Sequence, residues 1–140
     1  MSTIPSILLV DDDEISVFLH IHILAKFNVD HVEARNSGKG ALAYLQSCEK
    51  EGKAWPELIL LDLYMPDMDG KEFLEEYHSF DLQKREGTKV IIVSTIRNAQ
   101  LLQELYHRYA IEHFIEKPLS RPAMEKVLQQ MALKKHVNAL

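Results

Sequence analysis

The stretch 58-LILLDLYMPDMDG-70 decides the fold class, because four apolar residues run directly into Asp62 and a sharp turn follows. A short, continuous apolar run is typical of a strand that is covered on both faces of a parallel sheet. In the turn, Pro66 stiffens the backbone, and Gly70 is expected to allow an unusual backbone angle. The stretch therefore predicts a buried strand that holds the carboxylate of Asp62 at its end.

Five apolar runs recur along the chain, and each is followed by a longer segment with helical periodicity. The runs are 7-ILLV, 29-VDHVEA, 58-LILL, 89-KVIIV and 111-IEHFIE. The helical segments are 13–28, 36–53, 71–87, 97–110 and 119–136. The second and fifth runs alternate more than the others, which suits strands nearer the edge of a sheet. This alternation of strands and helices predicts a (βα)₅ fold with one parallel sheet, right-handed crossovers and helices on both faces.

Residues near the ends of the helical segments carry start and stop signals. The first segment begins with acidic residues and ends with Lys26, an order that complements the helix dipole. Asn36 or Ser37 is a suitable cap for the second helix, and Gly52 is a suitable stop. The helical periodicity of the first segment comes from four apolar residues: Ile15, Phe18, Leu19 and Ile23.

Length and composition indicate one globular domain that needs no disulfide or structural metal to be stable. The 140 residues include 46% apolar and 26% charged residues, and the net charge of -5 argues against a nucleic-acid binder that neutralises phosphates. The single cysteine, Cys48, cannot form an internal disulfide, which favours a reducing compartment. No stretch approaches the ~18 consecutive apolar residues of a membrane span. We expect a cytoplasmic protein with one domain over 1–140, a core of about 5–133 and no output domain.

Polar residues follow several of the predicted strands, at the edge where an open parallel sheet binds its ligand. Acidic residues follow the first and third strands, hydroxyl residues end or follow the fourth, and a lysine ends the fifth. The residues are Asp11, Asp12, Asp62, Ser94, Thr95 and Lys117. Because the carboxyl ends of parallel strands meet at one edge, these side chains are expected to converge.

Three neighbouring carboxylates require either protonation or a cation, since two unit charges ~4 Å apart repel by about 4 kcal/mol at an effective dielectric constant of ~20. The simpler role of an aspartate after a strand is to cap the next helix, and we assign that role to Asp13 and Glu14. Asp11 and Asp12 suit either role, but Asp62 opposite them favours a hard divalent ion such as Mg²⁺. A carboxylate nucleophile, a divalent ion, a hydroxyl and a lysine together indicate a phosphoryl-transfer site.

The combination of 10-VDD, 61-LDLYMPDMDG, 93-VST and 116-EKP resembles the receiver domain of bacterial two-component response regulators. Each motif is short, but their order over a (βα)₅ pattern is specific. The resemblance covers the chain from Ile7 to about Leu133. It implies a flavodoxin-like, doubly wound, five-stranded parallel sheet with the strand order 2-1-3-4-5.

The resemblance also implies a phosphoacceptor and a metal site. Asp62 would accept a phosphoryl group from the phosphohistidine of a histidine kinase. The protein would then be a phosphoprotein until the aspartyl phosphate hydrolyses. The cofactor would be Mg²⁺, with Mn²⁺ as an alternative ion. Its ligands would be Asp11, Asp12, Asp62 and the backbone carbonyl of Tyr64. On this interpretation Asp67 and Asp69 are turn and helix-cap residues.

Other residues match the switch positions of the family. Ser94 stands at the hydroxyl position and Lys117 at the lysine position, where both would contact phosphoryl oxygens. Phe114 stands at the aromatic switch position. In the family, movement of the hydroxyl and of the aromatic ring reshapes the surface of the fourth helix, fifth strand and fifth helix.

Four residues depart from the usual family pattern. Thr95 follows the switch hydroxyl where a small residue is usual, so it could narrow access to the site or offer a second hydroxyl. Phe114 lacks the phenolic hydroxyl of a tyrosine. Tyr64 and Ile96 occupy positions that bear on hydrolysis of the aspartyl phosphate in this family, and their bulk predicts slow autodephosphorylation.

The expected function is a signalling switch rather than a conventional enzyme. Its partners would be a sensor histidine kinase or histidine phosphotransfer protein, and a downstream protein bound through the surface of the fourth helix, fifth strand and fifth helix. The same surface could support a homodimer, whereas no nucleic acid or membrane is expected. Three alternatives stay open: a phosphorelay intermediate, an inert interaction module, and a Mg²⁺-dependent phosphohydrolase. Such hydrolases commonly need a second acid two residues after the nucleophile, where Tyr64 stands.

Overall fold

The computed structural model describes residues 4–95 and 97–139, with side chains described for 6–95 and 97–131. Five strands form one parallel sheet in the order β2-β1-β3-β4-β5. The strands are β1 (Ile4–Val10), β2 (Val29–Arg35), β3 (Leu58–Leu61), β4 (Lys89–Ser94) and β5 (Ile111–Glu116). The predicted fold class and strand order are therefore confirmed, and the two alternating strands lie at the edges.

Helices cover both faces of the sheet. They are α1 (Glu14–Leu24), α2 (Gly38–Lys50), α3 (Gly70–Tyr77), α4 (Leu82–Arg85), α5 (Ala99–Arg108) and α6 (Arg121–Ala139). Successive residues of the central strands point to opposite faces, so that Leu8 and Ile7 of β1 enter different apolar clusters. One cluster packs under α2, α3 and α5, and the other under α1 and α6. Among the described residues, no helix combines the length and apolar character needed to cross a bilayer.

The third predicted helix is interrupted. The segment 71–87 forms α3 and the separate short helix α4, with a break around Phe80. The ring of Phe80 packs edge-on against Trp55, with the ring centroids 5.1 Å apart. Arg85 Nε donates a hydrogen bond to the Phe80 carbonyl at 3.1 Å. These tertiary contacts hold the connection between α3 and α4, and helical periodicity alone does not reveal them.

Of the four apolar residues that give the first helix its periodicity, only Ile23 packs against the core. Ile15 and Phe18 are 72% and 71% exposed, and Leu19 is also exposed. The buried residues of α1 are His20 and Leu24. Because apolar residues surround most of this helix, their spacing does not identify the inward face.

Candidate functional site

Strand register brings two aspartates together. Val10 of β1 pairs with Leu61 of β3, and the Asp62 amide donates to the Val10 carbonyl at 3.0 Å. The next residues, Asp11 and Asp62, therefore emerge side by side from the carboxyl ends of neighbouring strands. Both are nearly buried, with 3% and 6% of their surface exposed, whereas Asp12 is exposed.

The fourth and fifth strands bring the hydroxyl and the lysine to the same edge. Ser94 is the last residue of β4, and its carbonyl accepts a hydrogen bond from the Lys117 amide at 3.0 Å. Ser94 Oγ donates to Asp62 Oδ1 at 2.7 Å. Lys117 Nζ lies 2.7 Å from Asp11 Oδ2 and 3.6 Å from Asp62 Oδ2. The ammonium group therefore joins the two buried carboxylates, and the Lys117–Pro118 bond is cis.

Burial and charge act in opposite directions on Asp11. Desolvation raises the pKa of its carboxyl group, and the Lys117 ammonium and the Asp13 amide partly offset that effect. The Asp13 amide donates to Asp11 Oδ1 at 2.9 Å. Asp11 Oδ2 is buried and accepts no well-aligned hydrogen bond, so its contact with Lys117 is an ion pair alone. This oxygen thus retains the capacity to bind a further positive group.

The acidic cluster fits a hard divalent cation. Asp11, Asp12 and Asp62 can each offer one carboxylate oxygen, and these oxygens lie within 4.8 Å of one another. Oxygen donors of this kind are the ligands that Mg²⁺ prefers. The under-satisfied Asp11 oxygen and the high local charge both favour a cation at this position. Among the described residues, no group of histidines and cysteines forms a comparable cluster.

The predicted helix-cap role is confirmed for Asp13 but not for Glu14, which is the first residue of α1. Asp13 caps α1, accepting hydrogen bonds from the Ile15 amide at 3.0 Å and from Ser16 Oγ at 3.1 Å. Ser37, rather than Asn36, caps α2 through the Gly40 amide at 3.0 Å.

The loop after Asp62 contains the predicted helix cap at Asp69, but Gly70 does not have the predicted backbone angle. Asp69 and Glu72 form a capping box at the start of α3. The backbone angle of Gly70 is not in the left-handed region, so the predicted reason for this glycine was wrong. Instead, a Cβ atom on Gly70 would lie 2.8 Å from Leu63 Cα and 2.9 Å from the Asp62 carbonyl oxygen. The left-handed residue of the loop is Asp67, with φ of 66°.

Three further residues were predicted from the sequence: Thr95 and Phe114 at switch positions, and Tyr64 as a metal ligand through its carbonyl. Thr95 is exposed beside Ser94, and Phe114 is half-buried on β5, where its backbone is in register with Ile92. Tyr64 is half-buried, and its amide lies 3.5 Å from Asp62 Oδ1. Ile96 lies outside the described residues.

Two residues near the site had not been singled out from the sequence. His20 is buried on α1, and burial lowers the pKa of its imidazole to about 4. Arg97 lies over the Tyr64 ring, with its Cζ atom 4.4 Å from the ring centroid. The sequence gives no signal for either contact, because both depend on how separate elements pack.

Comparison with known proteins identifies the family. A family model described as the response regulator receiver domain matches residues 7–129. The chain belongs to this family. Receiver domains are signalling domains that generally bind Mg²⁺ through acidic residues, and they are not, as a rule, conventional enzymes.

Individual relatives agree with this membership. The chain is 31% identical over 126 residues to sporulation initiation phosphotransferase F of Bacillus subtilis, covering 87% of this chain and 92% of that protein. It is 36% identical over 94 residues to response regulator Rcp1 of Synechocystis, covering 66% and 63%. Two longer regulatory proteins are matched over only 18% and 22% of their length. A two-component response regulator structure from Cytophaga hutchinsonii shares the fold, with a TM-score of 0.83, 24% identity and coverage of 92% and 97%.

Proposed function

We propose that this receiver domain is a phosphorylation-dependent switch in which Asp62 accepts a phosphoryl group. The phosphodonor is the phosphohistidine of a sensor histidine kinase or of a histidine phosphotransfer protein. The observation that carries the proposal is the convergence of the Asp11, Asp12 and Asp62 carboxylates with Ser94 and Lys117 at one sheet edge. Family membership supports the same function.

The reaction transfers a phosphoryl group from nitrogen to oxygen. A carboxylate oxygen of Asp62 forms a bond to phosphorus as the phosphorus–nitrogen bond of the donor breaks. The bonding electrons stay with the leaving imidazole, which takes up a proton to become neutral histidine. The product at Asp62 is an acyl phosphate, and the buried strand β3 keeps its carboxylate in a fixed position.

Three features of the chain can stabilise the phosphoryl group on Asp62. The ammonium of Lys117 is near both buried carboxylates and can pair with a phosphoryl oxygen. The hydroxyl of Ser94 can turn from Asp62 Oδ1 to donate to a phosphoryl oxygen instead. Asp11, Asp12, Asp62 and the Tyr64 carbonyl would hold Mg²⁺, which supplies positive charge opposite the phosphoryl oxygens.

An apolar surface beside the site supports a protein phosphodonor. The Asp13 cap places the first turn of α1 directly after the acidic residues, and Ile15, Phe18 and Leu19 of α1 are exposed. A protein that brings a phosphohistidine into contact with Asp62 must cover nearby surface. Large exposed apolar side chains are typical of such a protein interface.

The output is a change of the surface formed by α5, β5 and α6. Helices α5 and α6 are the fourth and fifth helices predicted from the sequence. Phosphorylation adds negative charge at Asp62, and the new contacts of Ser94 and Lys117 bias a two-state equilibrium. Phe114 lies on β5, where it borders a groove of about 360 Å³ between β5 and α6. We propose that a downstream protein reads this surface in one of the two states.

A role as a phosphorelay intermediate is the second candidate. It is favoured by the likeness to sporulation initiation phosphotransferase F, a protein whose name denotes phosphoryl transfer and which this chain matches over nearly its whole length. In that case, Asp62 would pass its phosphoryl group to a histidine of another protein. The chemistry at Asp62 is the same in both functions.

Intact-mass measurement tests the proposal. The protein is incubated with acetyl phosphate and Mg²⁺, and one added phosphoryl group that hydroxylamine removes is the expected product. Asp62→Asn should take up none, whereas the control variant Asp67→Asn, in the following turn, should be modified like the wild type. An unmodified wild-type protein would contradict the proposal and indicate an inert interaction module. Rapid turnover of many small phosphoesters would indicate a phosphohydrolase instead.

A further inference from the structure

A cation–π contact joins the two loops that border Asp62. Tyr64 follows the phosphoacceptor by two residues, and Arg97 follows Ser94 by three. The Cζ atom of Arg97 lies 4.4 Å from the centroid of the Tyr64 ring. The contact therefore links the segment after β3 to the segment after β4.

The backbone of Tyr64 lies next to Asp62, and its side chain is half-buried. The amide of Tyr64 lies 3.5 Å from Asp62 Oδ1, and the half-buried ring packs against the cluster under α2, α3 and α5. The same two loops are joined a second time by the Leu63 amide, which lies 3.4 Å from Ser94 Oγ. Tyr64 therefore has its backbone next to Asp62 and its ring in contact with the loop after β4.

The side chain of Arg97 contacts the Tyr64 ring through a cation–π interaction. Within the described part of the chain, Arg97 makes no ion pair, although it is exposed. Other cations around α5 do pair with a carboxylate: Lys71 and Arg108 both contact Glu104, at 3.1 and 3.2 Å. An exposed cation–π contact changes the equilibrium constant between the contacted and the free ring by a factor of about two to five.

We propose that Arg97 is a positioning residue that prolongs the lifetime of the phosphorylated state by holding the Tyr64 ring beside Asp62. This inference rests on the proposed function. Hydrolysis needs a water molecule at phosphorus: its oxygen forms the new bond, the bond to the Asp62 oxygen breaks, and inorganic phosphate leaves. An aromatic ring held at this position excludes water from part of that approach. Without Arg97, the ring moves more freely and water reaches phosphorus more often.

The test is the rate at which the phosphorylated protein loses its phosphoryl group. Each variant is phosphorylated with acetyl phosphate and Mg²⁺, the donor is removed, and the decay is followed by intact mass. Arg97→Ala should shorten the lifetime about two- to fivefold, and Arg97→Lys, which keeps a cation, should restore part of it. Arg108→Ala is the matched control. Arg108 lies over Tyr109 at 5.7 Å near the far end of α5, and its removal should leave the lifetime unchanged.

A second substitution shows whether Arg97 acts through the ring. Tyr64→Leu retains the backbone carbonyl but has no aromatic face, so adding Arg97→Ala should shorten its lifetime no further. The inference is overturned if Arg97→Ala decays like the wild type, or if it shortens the lifetime equally with and without Tyr64. If the wild-type protein takes up no phosphoryl group, the proposed function fails and this inference fails with it. If the wild type is phosphorylated and Arg97→Ala has no effect, the inference alone fails.

Discussion

At the scale of single residues, the site combines two buried acids, Asp11 and Asp62, with the partly buried ammonium group of Lys117. Burial raises the pKa of Asp11, and Lys117 at 2.7 Å from its Oδ2 atom offsets part of that effect. Asp62 shares the same ammonium at 3.6 Å. Truncating one member of a buried ion pair leaves the other unpaired, so these residues depend on one another.

The buried imidazole of His20 predicts a pH-dependent stability. Burial and the nearby charge of Lys117 lower its pKa from 6.5 to about 4, against the opposing effect of Asp62 and Asp13. The folded protein therefore keeps His20 neutral down to about pH 4, while the unfolded chain protonates it near pH 6.5. The stabilisation that comes from keeping His20 neutral is complete above about pH 6.5, and it is lost as the pH falls towards about 4.

We expect His20→Leu to lose less stability than the wild type on acidification from neutral pH to about pH 4. The difference between the two proteins should be ~1–3 kcal/mol, measured by urea unfolding in buffer with EDTA. His22→Leu is the control, because His22 is exposed on α1 and should follow the wild-type profile. Parallel pH profiles for the wild type and His20→Leu would contradict this assignment.

At the scale of elements, the loop between β3 and α3 is shaped by close packing around Gly70. A side chain there would meet Leu63 Cα at 2.8 Å and the Asp62 carbonyl at 2.9 Å, and these backbone atoms cannot move without displacing Asp62. We therefore expect Gly70→Ala to lower the free energy of unfolding by ~1–3 kcal/mol and to slow phosphorylation of Asp62. Gly87→Ala is the control, since nothing lies within 4 Å of a Cβ atom at Gly87. Equal stability of both variants would contradict this account of Gly70.

The exposed face of α1 carries a separate prediction. Phe18→Ser should reduce phosphoryl transfer from a cognate histidine-phosphorylated protein by about tenfold, the effect of losing ~1.4 kcal/mol of binding. Transfer from acetyl phosphate should stay at the wild-type rate, because a small molecule needs no docking surface. Leu82→Ser is the control, since Leu82 is 64% exposed on α4 and should change neither rate. An equal loss with both donors would mean that Phe18 supports the site itself.

Element boundaries show where sequence patterns are informative. The strand Leu58–Leu61 and the cap at Asp13 follow from local chemistry, and both were predicted. The break between α3 and α4 depends on the packing of Phe80 against Trp55, which are 25 positions apart in the sequence. The inward face of α1 does not follow from its apolar spacing, because apolar residues lie on nearly all sides of this helix. Contacts between distant segments are what the pattern of a single segment does not contain.

At the scale of the whole molecule, the doubly wound sheet explains why the site residues could be predicted from the sequence. Parallel strands end at one edge, so the residue after each apolar run is a candidate ligand without any knowledge of distances. This rule found Asp11, Asp62 and Lys117, which the structure brings together. It did not find Arg97, which lies in the loop after β4 and whose place is defined by its contact with Tyr64.

In the proposed switch, Asp62 and not a neighbouring acid carries the phosphoryl group. The most direct measurement is to phosphorylate the protein with acetyl phosphate and Mg²⁺, reduce the acyl phosphate with borohydride, and map the resulting homoserine by peptide mass spectrometry. We expect homoserine at position 62 alone, and none when Mg²⁺ is chelated before phosphorylation. Homoserine at Asp11, Asp12 or another acid in place of Asp62, or its absence with Mg²⁺ present, would contradict the account.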